Sequence, residues 1–424
     1  MALTLPSQRW YCLLRLGTTL FRSMATSRTD SSVTETDPSE TDPALSETEL
    51  PKTDIDPRYR PGEGGGLVSR AEVERFITDC FVKVGCGKDS AKQQAQLLVA
   101  ADYRGHFSHG LNRLEIYLND IRKKLCDPNG EPRIMKQTSA TALVNGMNSL
   151  GAVVGNFCMR LAITKAADTG VGLVVANNSN HFGMAGYYSE QAVKVGMVGL
   201  SFTNTSPLMC PTGAKQAALG TNPLSIAAPI GVGLGAEAFV LDMATTSVAL
   251  GKIEIQIRKE QPIPLGWALD EEGNPTTDPQ VAYNARRMMP LGGLEETSGY
   301  KGYGLAMLVE ILCGILGGSN FGPFIRDWES DNEQANLGQC FIAIDPKCFG
   351  DGFRERMEHL VKYLRDMPPV EKGKPVLVPG DPEKANMEKV DRQGGIIYLP
   401  NQINSSYELA VSLGVKPMLI IEQK

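Results

Sequence analysis

The chain has only four histidines, His106, His109, His181 and His359, and two of them stand where an imidazole could move a proton. His109 lies in Arg104-Gly105-His106-Phe107-Ser108-His109-Gly110-Leu111-Asn112-Arg113. Ser108 is an N-cap residue type, and a helix starting there would place His109 and Arg113 four apart on one face. Imidazole titrates near neutrality, and a guanidinium grips a carboxylate in a planar fork. The dipole at a helix start favours the same anion. Together they suit proton transfer on a molecule that carries a carboxylate, although a capped histidine beside a solvated arginine has the same local sequence. His181 sits in Asn177-Asn178-Ser179-Asn180-His181-Phe182-Gly183. That loop follows an apolar run, and loops at the carboxyl ends of strands are where α/β enzymes keep polar reactive groups; a satisfied loop histidine is the alternative. His359 belongs to an amphipathic helix and reads as solvated. His106 and His109 lack the spacing and the Glu of a zinc helix, and no metal site is expected.

A glycine-rich phosphate loop between a strand and a helix is the usual mark of a dinucleotide site. No GxGxxG stands in that context. Gly231-Val232-Gly233-Leu234-Gly235 joins two apolar runs, whereas Gly299-Tyr300-Lys301-Gly302-Tyr303-Gly304 precedes a helix. Its amides and Lys301 could hold a phosphate there, or its small residues could serve close packing. An ordinary Rossmann domain is disfavoured.

The elements that must position these groups follow from periodicity. Ser69-Arg70-Ala71-Glu72 is a capping box, followed by Val73, Phe76, Ile77 and Phe81 on one helical face. Helices are predicted over residues 89–104, from 108, and over 152–167, 186–195, 245–259, 302–316, 353–367 and 405–413. Strands are predicted over 171–176, 197–202, 224–229, 238–243 and 340–344. The alternation is that of an α/β protein with interleaved hairpins.

Composition bounds the rest. The 424 residues are 42% hydrophobic and 21% charged, with a net charge of −6. Residues 1–29 hold four arginines and no acid, and residues 30–56 hold nine acids and one lysine, so the remainder is close to neutral. A near-neutral body argues against a nucleic-acid partner, and no apolar run of 18 residues suggests a membrane span. Nine scattered cysteines form no CxxC pair, which suits a reducing compartment. The arginine-bearing start has the composition of a mitochondrial transit peptide, with a cytoplasmic protein bearing an unprocessed tail, or translation from Met24, as the alternatives. The Ser/Thr/Pro/acid-rich stretch to about residue 66 is expected to be disordered.

Nine motifs then appear in order. They are Ser108-His109-Gly110 with Arg113, Asn178-Ser179-Asn180-His181-Phe182-Gly183, Gly220-Thr221-Asn222-Pro223-Leu224, Leu241-Asp242-Met243-Ala244-Thr245, Gly266-Trp267-Ala268-Leu269-Asp270, Pro275-Thr276-Thr277-Asp278-Pro279, Tyr300-Lys301-Gly302-Tyr303-Gly304-Leu305, Phe341-Ile342-Ala343-Ile344-Asp345-Pro346 and Pro379-Gly380-Asp381-Pro382-Glu383. Over residues 67–423 the chain closely resembles the second malate/L-lactate dehydrogenase family, which is unrelated to the ordinary enzymes of those names. The resemblance implies an α/β, non-Rossmann, mixed-sheet NAD(P)-binding fold with a helical N-terminal segment. It implies a helical substrate-side part at about 67–135 with the C-terminal helices, a cofactor-binding part at about 136–345, and a homodimer. Ser108, His109, Arg113 and His181 would face a small 2-oxo or 2-hydroxy acid. Either His109 or His181 would transfer the proton, with a pKa near 6.5 suiting both directions. NAD or NADP would meet Thr205, Asp242, Met243, Ala244, Lys301, Gly380 and Asp381. A cyclic imine reductase, also known in the family, and a catalytically inactive nucleotide-binding protein are the competing expectations.

Overall fold

Strand β1 (Gly66–Val68) leads into helix α1 (Arg70–Lys83), where Ser69 caps the first turn by accepting the Glu72 amide at 3.2 Å. Val73, Phe76, Ile77, Cys80 and Phe81 form its buried stripe. Helix α2 (Lys88–Tyr103) follows and serves two cores. Its Ala95 and Leu98 pack with Phe76 and Phe81, while Leu97 and Ala101 pack with Phe182 and Tyr188. Burying each large side chain in these clusters is worth about 1.5–3 kcal/mol. The computed structural model describes residues 57–59, 65–231, 237–327, 330 and 333–421. The expected transit sequence lies outside the described residues, as does most of the expected linker.

The helix predicted to begin at Ser108 is not there. Residues Phe107–His109 and Leu111–Arg113 form two short 3-10 turns, and helix α3 (Leu114–Arg122) begins only after them. The cause is Asp102 of α2. Its Oδ2 accepts the Leu111 amide at 2.9 Å, and its Oδ1 fills the space a Cβ on Gly110 would need, at 1.8 Å. The carboxylate takes the donor and the volume that a continuous helix would use. The Ser108 hydroxyl meets the His109 ring instead of capping a backbone amide.

Strands β2 (Arg133–Gln137) and β3 (Thr141–Asn145) open a seven-stranded sheet. Helix α4 (Gly151–Thr169) crosses over to β4 (Val171–Ser179), parallel to β3. Helix α5 (Gly186–Val193) leads to β5 (Val198–Thr203), and β6 (Leu224–Pro229) and β7 (Ala238–Met243) form the predicted hairpin. Helix α6 covers only Leu250–Arg258. The predicted start at 245 fails because Thr245 and Ser247 spend their hydroxyls on the Thr221 and Gly266 carbonyls. A three-stranded sheet of β8 (Ala268–Leu269), β9 (Pro275–Thr276) and β10 (Arg287–Met288) surrounds α7 (Pro279–Ala285) in sequence. Helix α8 (Gly299–Glu310) continues as a π-helical turn over Ile311–Ile315.

Strand β11 (Leu337–Ile344) inserts antiparallel between β4 and β5. The order is β2-β3-β4-β11-β5-β6-β7, with β3 and β4 the one parallel neighbour pair, so the sheet is mixed and not of Rossmann type. Helix α9 (Phe353–Arg365) was expected; α10 (Asp381–Gln393) was not, because only Val390 of it is buried and no apolar stripe marks it. Strand β12 (Ile396–Tyr398) returns to pair with β1, and α11 (Pro400–Leu413) closes the fold. The eight described cysteines are free, all but Cys348 buried.

Candidate active site

Strand directions gather the candidate groups. β4, β5 and β7 run the same way, because β11 is antiparallel to both β4 and β5, and β6 is antiparallel to both β5 and β7. The carboxyl ends of these strands therefore lie at one end of the sheet. His181 follows β4, Thr205 follows β5, and Asp242 and Met243 end β7 with Ala244 just beyond. That is the end at which open α/β sheets bind ligands.

His181 is delivered rigidly. The Asn180 amide donates to the Asn148 and Ser149 carbonyls at 3.0 and 2.9 Å, and Gln339 of β11 donates to the Asn180 carbonyl at 2.9 Å. The backbone of His181 lies so close to α4 that residue 151 must be glycine: a Cβ there would stand 2.2 Å from the His181 oxygen. His109 reaches the same place from the 3-10 turn. The two rings stack with centroids 6.1 Å apart and planes 21° from parallel.

The structure thus brings Ser108, His109, Arg113 and His181 together. The Ser108 Oγ lies 2.9 Å from His109 Nδ1, and Arg113 Nε donates to the Ser108 carbonyl at 2.6 Å. The third ring of the cluster was not singled out in the sequence. Tyr117 of α3 places its hydroxyl 2.6 Å from His181 Nδ1. Its signal was available as the residue four beyond Arg113.

Hydrogen bonding assigns the His181 tautomer. The Gly183 amide donates to Nδ1 at 3.3 Å, so Nδ1 carries no proton and Tyr117 donates to it as well. The ring proton of neutral His181 is therefore on Nε2. Ser108 can donate or accept, so the bond to His109 Nδ1 is compatible with either tautomer.

Charge follows from surroundings. Burial, then Arg113 and His106, pull His109 down to about 4. Burial, then His109 and Arg113, hold His181 well below the usual imidazole range. The expectation of a pKa near 6.5 is thereby corrected: both rings are neutral at pH 7, because burial disfavours the charged ring and the nearby Arg113 cation adds repulsion. Burial likewise pushes the Tyr117 phenol up.

The other expected residues are placed as follows. Asp242 is half-buried and accepts the Gly186 amide at 2.7 Å at the start of α5. Burial raises its carboxyl to about 6, with Glu190 and Glu383 adding to the rise. The Thr205 amide is held by Asn222 Oδ1 at 3.1 Å, and its hydroxyl lies 3.3 Å from that of Thr221. Thr221 in turn accepts the Thr245 amide, next to Ala244. Lys301 is exposed in the first turn of α8, which is anchored to the same sheet end: Asn222 donates to the Ala306 carbonyl at 3.2 Å. Two glycines of the motif serve close packing, since a Cβ on Gly299 or Gly302 would overlap the backbone of Gly293 or Leu291; Gly304 faces open space. Gly380 (φ +103°) lies against Val240 of β7. The Asp381 carboxylate is taken by Arg365, at 2.5 and 3.1 Å, and by the Val378 amide.

Comparison with known proteins finds relatives along most of the chain. Residues 68–405 match the family described as malate/L-lactate dehydrogenase. A curated malate dehydrogenase from Pyrococcus horikoshii is 40% identical over 293 residues, 68% of this chain and 80% of that protein. The solved sulfolactate dehydrogenase of Methanocaldococcus jannaschii superposes with a TM-score of 0.76 at 38% identity, covering 84% of this chain and all of that one (100%). The Δ1-piperideine-2-carboxylate reductase of Pseudomonas syringae superposes with a TM-score of 0.72 at 29% identity, covering 81% of this chain and 99% of that one. With its sheet order, its gathered histidines and a match that spans most of its length, the chain belongs to the malate/L-lactate dehydrogenase family.

Proposed function

We propose that this protein is an NAD(P)-dependent oxidoreductase that interconverts a small 2-hydroxy acid, malate- or lactate-like, and its 2-oxo acid. The observation that carries the reading is the stacked pair of neutral imidazoles beside Arg113. Neutral rings leave Arg113 as the cation that meets the substrate carboxylate. NAD or NADP would be held at this end of the sheet by Thr205, the 242–244 segment and Lys301, and when bound it supplies the acceptor or donor of hydride.

Each side chain then has a distinct task. Arg113 fixes the carboxylate and so orients C2. His109 takes the hydroxyl proton of the 2-hydroxy acid on Nε2, with Nδ1–H donating to Ser108. In the reverse direction it returns that proton to the ketone oxygen. His181, held with its proton on Nε2, donates a hydrogen bond to the same oxygen and keeps its own proton; a neutral imidazole is an effective donor of this kind. Tyr117 holds that tautomer.

A homodimer belongs to the same reading. Met307, Leu308, Ile311, Ile315 and Leu316 are exposed along α8 and its π-turn, an apolar face of the sort that subunits cover.

A panel of 2-hydroxy and 2-oxo acids, assayed with both nicotinamide cofactors by absorbance, tests the function, and sedimentation of the same sample tests the dimer. Turnover of at least one acid is expected. The similarity to a piperideine-carboxylate reductase supports a second reading, reduction of a cyclic 2-imino acid. Turnover of pyrroline- or piperideine-carboxylate alone would replace the first reading with the second, and turnover of neither class would end both.

A further inference from the structure

Asp102 is buried behind the 3-10 turns, and the chemistry proposed above does not use it. It is 1% exposed. Its Oδ2 accepts two hydrogen bonds, from the Leu111 amide at 2.9 Å and from the Tyr398 hydroxyl at 2.7 Å. Its Oδ1 has no hydrogen-bond partner and rests against Gly110. Tyr398 is fully buried on β12, 296 residues away in sequence, and its ring also meets Phe107 edge-on at 6.4 Å. Gly110 and Leu111 are the two residues that follow His109 and precede Asn112 and Arg113. One carboxylate therefore ties α2, the joint between the His109 and Arg113 turns, and strand β12 to a single point.

We infer that Asp102 and Tyr398 are positioning residues for the reaction: their carboxylate–phenol pair fixes the Gly110–Leu111 joint and with it the spacing between the His109 imidazole and the Arg113 guanidinium. An unpaired buried carboxylate oxygen costs stability, and a hydrophobic residue pair could fill the same volume without that cost. What the acid adds is a directed acceptor for the Leu111 amide, at the point where the chain must leave helical geometry. The joint cannot be set by residue 110 itself, since any side chain there would strike Asp102. Burial drives the Asp102 carboxyl up to about 7, and the two donors on Oδ2 oppose that rise.

This inference rests on the dehydrogenase reading for its kinetic arm and has a second arm that does not. Tyr398→Phe deletes one hydroxyl in a packed site, and Asp102→Asn keeps the shape while retaining one acceptor oxygen. In Tyr398→Phe, kcat on the best acid should fall about 10- to 100-fold, the penalty typical of small misplacements. KM for the acid should rise as Arg113 moves, while the dissociation constant of NADH, read by fluorescence, should stay within twofold. Asp102→Asn should keep more of the activity than Asp102→Ala. In the second arm, nitrogen-15 spectra of the histidine rings in full-length protein should show the His109 resonances shifted in Tyr398→Phe and those of His359 unmoved. A Tyr398→Phe protein with unchanged His109 resonances and turnover within twofold of wild type, whatever its melting temperature, would overturn the assignment. If wild type turns over no acid, the dehydrogenase reading fails, and the His109 spectra alone decide the positioning role.

Discussion

The two imidazoles of this site are held by opposite kinds of structure. His181 stands on the end of a central sheet strand, its loop pinned by Asn180 and Gln339 and its ring by Tyr117 and the Gly183 amide. His109 stands on a 3-10 turn, and its ring bonds the hydroxyl of its own neighbour, Ser108. A ring whose tautomer is set from two sides suits a group that donates a hydrogen bond and keeps its proton. A ring facing a hydroxyl that can reverse its role suits a group that passes a proton on. Rigid and adaptable supports thus converge within one stacked pair.

Replacing each ring is the hardest test of that contrast. His109→Asn should lower kcat on the hydroxy acid by about 10³-fold, within the range for a lost proton-transfer group. His181→Asn, which keeps an N–H donor, should cost about tenfold, the order of a weakened hydrogen bond. Steady-state kinetics of the two variants settle the division of labour, and a larger loss in His181→Asn would exchange the roles.

A smaller effect appears in stability. The folded-state pKa of His109 lies at about 4, below the ordinary 6.5 of the unfolded chain. Unfolded protein therefore binds the extra proton first. The stabilising contribution is complete above pH 6.5 and is lost as pH falls toward 4, amounting to about 2–3 kcal/mol by pH 4.5. Asp102 and Asp242, whose carboxyls are raised, titrate in the opposite sense, so the informative quantity is the difference between wild type and His109→Asn. Urea unfolding at pH 7 and 4.5 should show wild type losing that much more than the variant; equal losses would mean that burial does not hold His109 neutral.

The smallest expected effect separates the two ring partners. Tyr117→Phe removes a donor from His181 Nδ1, and kcat should drop about fivefold, the central value for one neutral hydrogen bond. Ser108→Ala should change the steepness with which kcat depends on pH more than its plateau. Identical pH profiles in the two variants would dissolve the distinction drawn between the supports.

Much of this was legible in the residues themselves. The β6–β7 hairpin carries the expected bounds, and Ser69 caps α1 as expected, although the Glu72 carboxylate turns to Arg75 and the Leu419 amide instead of completing the capping box. Other features depend on distant contacts. The break at Gly110 is imposed by Asp102, whose effect on a loop eight residues on is not written in the local pattern of its helix. Helix α10 buries too little to leave a periodic trace. The presence of Tyr117 in the site depends on where α3 begins, which the misplaced helix start obscured.

By itself the sequence determined the reactive residue types, the alternation of helices and strands, and the nine ordered motifs that mark the family. Periodicity and capping act over a few residues, and they are written locally. Only the tertiary structure decided that β4, β5 and β7 share a direction, that two histidines 72 positions apart stack, and that both stay neutral. Strand direction and desolvation arise from how remote segments pack, and no local pattern carries either one.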